Sequence, residues 1–170
     1  MILVLEIVIS VLFFLNKIYI LLGKRTGWLL GTIGSILAIT YFFVLGLYVY
    51  TVLEFGLIAL MVYGIVRNTR NTSVEWVIRA ITILTMAGVG YLAYRGTITL
   101  LELVSSIAVL IGTYLLVTKQ KYGWLLYIVF HLCAIYISLQ VHQYIFMLFQ
   151  ILSLPIAIYA ILKTKISSTT

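Results

Sequence analysis

Charge is what this sequence has least of. Only 9% of its 170 residues are charged, about a third of the roughly 25% found in soluble domains, so no water-facing shell can be assembled from it. Apolar residues make up 64%, and the chain reads as an all-α integral membrane protein. Cysteine is nearly missing: Cys133 stands alone in an apolar run, which excludes an intrachain disulfide and leaves a small buried hydrophobe. Histidine is limited to His131 and His142, on different spans at different depths. No His and Glu stand at metal-ligand spacing, and no Gly-rich loop ends in Lys-Ser/Thr to cradle a phosphate. Cys133 points away from His131 on a helix, being two residues on. Enzyme chemistry, a metal and a cofactor therefore have no visible seat. The runs also lack the alternating polarity of a membrane barrel.

What is present is hydrophobic length. Spans of the size needed to cross about 30 Å of hydrocarbon fall near residues 2–22, 28–45, 47–66, 76–94, 98–117, 124–140 and 144–162. The first is expected to be a retained helix, since it lacks a basic leader and ends at Lys24-Arg25 without a small-residue cleavage site. The net charge of +7 comes from short clusters between spans, so it reads as a topology signal and not as a nucleic-acid patch. Lys24, Arg25, Arg67, Arg70, Arg79, Lys119, Lys121, Lys163 and Lys165 fall on one side if seven helices alternate, with Arg95 opposite. The positive-inside rule then places the amino terminus outside and the carboxyl terminus in the cytoplasm of an inner membrane. Lys17, inside the first span, is expected to snorkel to the cytoplasmic surface.

The sequence also repeats itself. Residues 5–67 align without a gap on 101–163, at an offset of 96, pairing Leu5-Glu6 with Leu101-Glu102, Ser10 with Ser106, Gly27-Trp28-Leu29-Leu30 with Gly123-Trp124-Leu125-Leu126, and Tyr63 with Tyr159. The first span thus corresponds to the fifth, and both cross in the same direction. The expected architecture is two parallel three-helix repeats joined by a linker helix: residues 1–67, a linker with the fourth span at 68–97, residues 98–163, and a short tail at 164–170. Such parallel repeats hold substrates near the midplane.

Four polar residues share that depth. Glu54 pairs with Gln150 across the repeat, and Ser35 with His131. A carboxylate in the membrane is costly, so Glu54 should face the protein interior; Ser35, His131 and Gln150 either line the same cavity or hydrogen-bond between helices as glue. Trp124, Tyr127 and His131 stand at i, i+3 and i+7 on one stripe. Trp28 and Trp124 both begin helices at the cytoplasmic side, where an aromatic-belt role competes with ligand stacking. Glu6 and Glu102, near the outer ends, either ring a vestibule or reach headgroups.

The stripe from Trp124 to His131 resembles the Trp-x-x-Trp-x-x-x-Asn motif of the PnuC family of vitamin-precursor transporters, with Tyr127 for the second Trp and His131 for Asn. The first repeat is similar as well: Trp28 and Gly31, Leu47-Tyr48, Glu54 where the family often has Gln, and Tyr63-Gly64. The resemblance covers the chain from the first span to the seventh. It implies a facilitator for nicotinamide riboside, with relatives for thiamine, whose uptake depends on cytoplasmic trapping and hence on a functional link to a kinase. The expected partners are a small cationic aromatic vitamin precursor and membrane lipid, with a homo-oligomer left open. The expected substrate-binding residues are Glu54, Trp124, Tyr127, His131, Gln150, Ser35 and Trp28. Trp124 or Tyr127 would stack on the heterocycle, and Glu54 would neutralise a positive ring. Two alternatives stand beside this reading: the substrate-capture subunit of an energy-coupling-factor importer, ordinarily of six spans, and a membrane scaffold that transports nothing.

Overall fold

The computed structural model describes residues 2–66 and 72–166, with side chains at 2–66 and 74–163. Arg67, Arg70, the side chain of Lys165 and the proposed boundary at residue 67 lie outside what the structure describes. Seven helices follow from the apolar runs: α1 (Ile2–Leu21), α2 (Arg25–Val44), α3 (Tyr48–Val66), α4 (Thr72–Tyr94), α5 (Leu100–Val117), α6 (Gly123–Gln140) and α7 (Tyr144–Ile166). All seven are long and apolar enough to span a membrane, and no strand occurs among the described residues. Thr72–Tyr94 begins one turn earlier than the apolar run suggests, because Glu75 and Arg79 pair at i,i+4 on an exposed face.

Six helices close a ring. α1 packs on α2, α2 on α3, α3 on α5, α5 on α6, α6 on α7, and α7 returns to α1. α4 stands outside this ring, against the seam of α3 and α5, where Gly56 lets Thr85 approach closely. Its outer face carries Trp76, Val77, Ile83, Leu84 and Tyr91, all exposed, as a lipid-facing surface requires.

The turns are sharp and use the left-handed region. Gly23 has φ 69° and Lys119, 96 residues later, has φ 61°; Gly46 has φ 73° and His142, again 96 residues later, has φ 58°. Each closes its helix with the paired bonds of a Schellman motif. Gly23 N–H donates to Ile20 and Lys24 N–H to Tyr19, as Lys119 N–H does to Leu116 and Gln120 N–H to Leu115. Gly46 with Phe43 and Leu47 with Phe42 match His142 with Leu139 and Gln143 with Ser138 in the same way. Glycine takes this conformation freely, whereas lysine and histidine adopt it at a cost of about 1 kcal/mol each.

The helix crossings coincide too. A Cβ on Gly27 would lie 2.8 Å from Ile20 N and 3.0 Å from Asn16 O; one on Gly123 would lie 2.6 Å from Gly112 O and 2.7 Å from the Leu116 side chain. Small residues thus bring the backbones of α1 and α2, and of α5 and α6, into contact.

Candidate functional site

The six ring helices line a partly open cavity. Every ring helix contributes to it and α4 does not. It runs from the α2–α3 and α6–α7 turns, at Leu47 and Gln143, to Asn16 and Met61 deeper in the bundle. Phe13, Phe42, Phe130 and Phe146 give it aromatic walls. Its periodicity explains the lining: Tyr50, Glu54, Leu57 and Met61 form one stripe of α3, and Tyr127, Phe130, Ala134 and Ile137 one stripe of α6.

Of the residues expected from the sequence, Glu54, Tyr127 and Gln150 line this cavity. Glu54 is 4% exposed, and its Oε2 is buried without a hydrogen-bond partner. Gln150 is held from behind by His131, whose Nδ1 lies 2.6 Å from Gln150 Oε1. Tyr127 is fixed by Thr113, hydroxyl to hydroxyl at 2.9 Å, while the Thr113 hydroxyl also sits 2.7 Å from Val109 O on its own helix. The other four stand outside the lining. His131 is fully buried one position round the helix from Phe130 and supports Gln150. Ser35, also fully buried, sits 3.9 Å from Met61 Sδ and beside the Glu54 carboxyl. Trp124 packs its ring 5.9 Å from Tyr127, and Trp28 covers the bare Cα of Gly64.

Three features lay beyond the sequence reading. Lys17 does not reach the surface: it is 5% exposed and lines the cavity, its Nζ donating to Phe13 O one turn back at 3.3 Å. The signal was the spacing of Phe13, Asn16 and Lys17 at i, i+3 and i+4, which puts a polar pair on the inward face. Asn16 donates to Gly27 O at 2.8 Å, tying α1 to α2 beside that cavity. Glu6 rings no vestibule and reaches no headgroup. It is buried, and its Oε1 accepts the Phe146 N–H at 3.0 Å, satisfying an orphan donor in the first turn of α7. Glu102 instead closes a capping box with Thr99 at the start of its own helix.

An acidic group, a lysine, amides and aromatic walls around one cavity can hold a small polar aromatic molecule. Comparison with protein families gives a match over residues 3–165 to the nicotinamide mononucleotide transporter family. The chain belongs to this family. It is the PnuC group that the Trp124 to His131 stripe resembles, and the chain is accordingly a multi-pass membrane protein of a transporter family. Neither the comparison with curated proteins nor that with solved structures gave a match.

Proposed function

We propose that this protein is a facilitator that admits a small aromatic vitamin precursor with a positively charged ring, of the nicotinamide riboside class, through the central cavity of the six-helix ring. The observation that carries this is Glu54: a buried carboxylate with a free oxygen, set among aromatic walls in a cavity that all six ring helices share. A carboxylate so placed gains from a bound cation what it has lost in water, and the aromatic faces hold a flat ring. Tyr127 and Gln150, each fixed from behind, supply hydroxyl and amide contacts for the sugar or carboxamide. Trp124 and His131 act through the groups they pack against.

In this reading the ring is built from two copies of one three-helix unit, α1–α3 and α5–α7, with α4 as the linker that lets both run in the same direction. The matching Schellman turns and Gly27 and Gly123 crossings support it. So does the lining, in which Phe13 and Val109, Phe42 and Ser138, Leu47 and Gln143, Tyr50 and Phe146, and Glu54 and Gln150 are partners at the offset of 96. A cavity on a pseudo-twofold axis suits a carrier that exposes it to each side in turn. The basic clusters support an amino terminus outside an inner membrane, which would put the Leu47 and Gln143 end of the cavity on the outer side. Seven spans, rather than six, favour a self-sufficient carrier over a substrate-capture subunit, and a cytoplasmic kinase would trap the product.

Proteoliposomes test this. Labelled nicotinamide riboside should equilibrate across the membrane without an energy source, and accumulate only when a riboside kinase and ATP are enclosed. Absence of saturable uptake would refute transport of this class; accumulation above the external concentration without the kinase would refute the facilitator mechanism.

A further inference from the structure

Among the described residues, Lys17 and Glu54 are the only charged members of the cavity lining. They come from α1 and α3, which α2 separates in the ring, and both are at least nine-tenths buried. Each acts electrostatically on the other, yet they form no ion pair within 4 Å. The Lys17 Nζ donates to Phe13 O at 3.3 Å. Ser35 lies beside the Glu54 carboxyl, whose Oε2 has no hydrogen-bond partner. One positive charge is thus matched to one negative charge without contact.

The two charges also occur together in the chain. At the offset of 96, Lys17 corresponds to Thr113 and Glu54 to Gln150, so the second half is neutral at both positions. The helices α2, α5, α6 and α7 bring no charged residue to the lining. The other titratable side chains around the pair are Tyr50, which faces Ser105, Tyr127, bonded to Thr113, and His131, bonded to Gln150. A ring cation seated at Glu54 therefore sets two positive charges against one carboxylate in a desolvated space, where an uncompensated charge is costly. The ligand cannot shed a permanent ring charge. A lysine, unlike an arginine, can lose its proton in a buried site.

We propose that Lys17 is a resident counter-ion that the ligand replaces: the ring cation takes over Glu54, and the Lys17 ammonium gives up one proton to water on the side that the cavity faces. After the ligand leaves on the other side, the amine takes a proton from that side and the pair with Glu54 re-forms. One ring cation thus crosses in exchange for one proton, and the cavity is neutral both empty and loaded. This rests on the transport reading above. With equal pH on both sides the carrier still only equilibrates its ligand.

Titration calorimetry on the purified full chain, in buffers of different ionisation enthalpy, counts the protons. Nicotinamide riboside, a permanent ring cation, should release up to one proton per ligand bound to wild type, and its affinity should fall by up to about tenfold per pH unit on acidification. Reduced nicotinamide riboside, whose ring is neutral, should bind without release. Lys17→Arg keeps the charge and cannot give up its proton, so it should bind nicotinamide riboside about tenfold more weakly or worse, with no release. Its binding of the reduced form should match wild type, which shows that the site is intact. Lys17→Met removes the competing charge and should bind nicotinamide riboside at neutral pH as tightly as wild type or better, a result that misfolding cannot mimic. Binding to wild type without release overturns the exchange and leaves the transport reading intact. Release that survives in Lys17→Arg does the same, since the proton then comes from Glu54 or His131. Absence of nicotinamide riboside binding to wild type overturns both.

Discussion

Two three-helix stretches of the ring turn alike and differ in the chemistry of their lining. α1–α3 and α5–α7 turn at positions 96 residues apart, each with a left-handed residue at the matching position, glycine in the first and lysine or histidine in the second, and with the same pair of closing bonds. Their inward faces diverge: the first half brings Lys17 and Glu54, and the second brings Tyr127, Gln143 and Gln150. Backbone geometry and helix crossings are thus fixed by small residues and turn bonds at the rim, which leaves the inward stripes free to diverge. Charge is concentrated in one half, while the other supplies neutral hydrogen-bonding groups.

The largest effect on stability should come from the crossings. Gly123→Ala would drive its Cβ into Gly112 O, and Gly27→Ala into Ile20 N. Each should destabilise the detergent-solubilised protein by about 1–3 kcal/mol, the usual cost of overpacking, read as a lowered thermal unfolding midpoint. Similar losses at the two sites are expected if the halves are built alike; a loss at only one would break the comparison.

The acidic pair separates the halves. Glu6→Gln weakens a charged cap that joins two helices through the Phe146 N–H, and should cost about 1 kcal/mol. Glu102→Gln alters a capping box on an exposed helix start, where glutamine is itself an accepted partner, so it should cost a few tenths at most. Equal effects would mean that the seam of α1 and α7 gains nothing from Glu6.

The smallest changes should be gains. Lys119→Gly and His142→Gly relieve a positive φ in the second half that the first half already solves with Gly23 and Gly46. Each should raise stability by up to about 1 kcal/mol, reduced by the greater freedom of glycine in the unfolded chain.

Much of this skeleton was legible in the sequence, because the length of an apolar run and the polar breaks between runs report directly on the bilayer. Six of the seven spans end within a few residues of the observed helices; α4 starts earlier because an exposed ion pair extends it. The inward face was harder to read. In a helix apolar all round, period carries little information about which side is inside, so His131, one position from the cavity stripe, looked equivalent to Tyr127. Lys17 was misread for a related reason. A lysine in a span can bury its stem and extend its head to water, and only the three-dimensional ring shows that this one faces an interior space instead.

The central claim is that Glu54 is the anionic end of a ligand site on the axis between the two halves. Titration of nicotinamide riboside against wild type, Glu54→Gln and Gln150→Leu tests it most directly, with the unfolding midpoint of each protein measured alongside. Glu54→Gln keeps the shape and removes the charge, and should weaken binding by about thirtyfold or more, as expected when a buried charged contact worth at least about 2 kcal/mol is lost. Gln150→Leu should weaken it by less, since a neutral hydrogen bond is worth only about 1 kcal/mol. Unchanged affinity in a folded Glu54→Gln variant would contradict the claim and leave Glu54 as a residue of the helix packing alone.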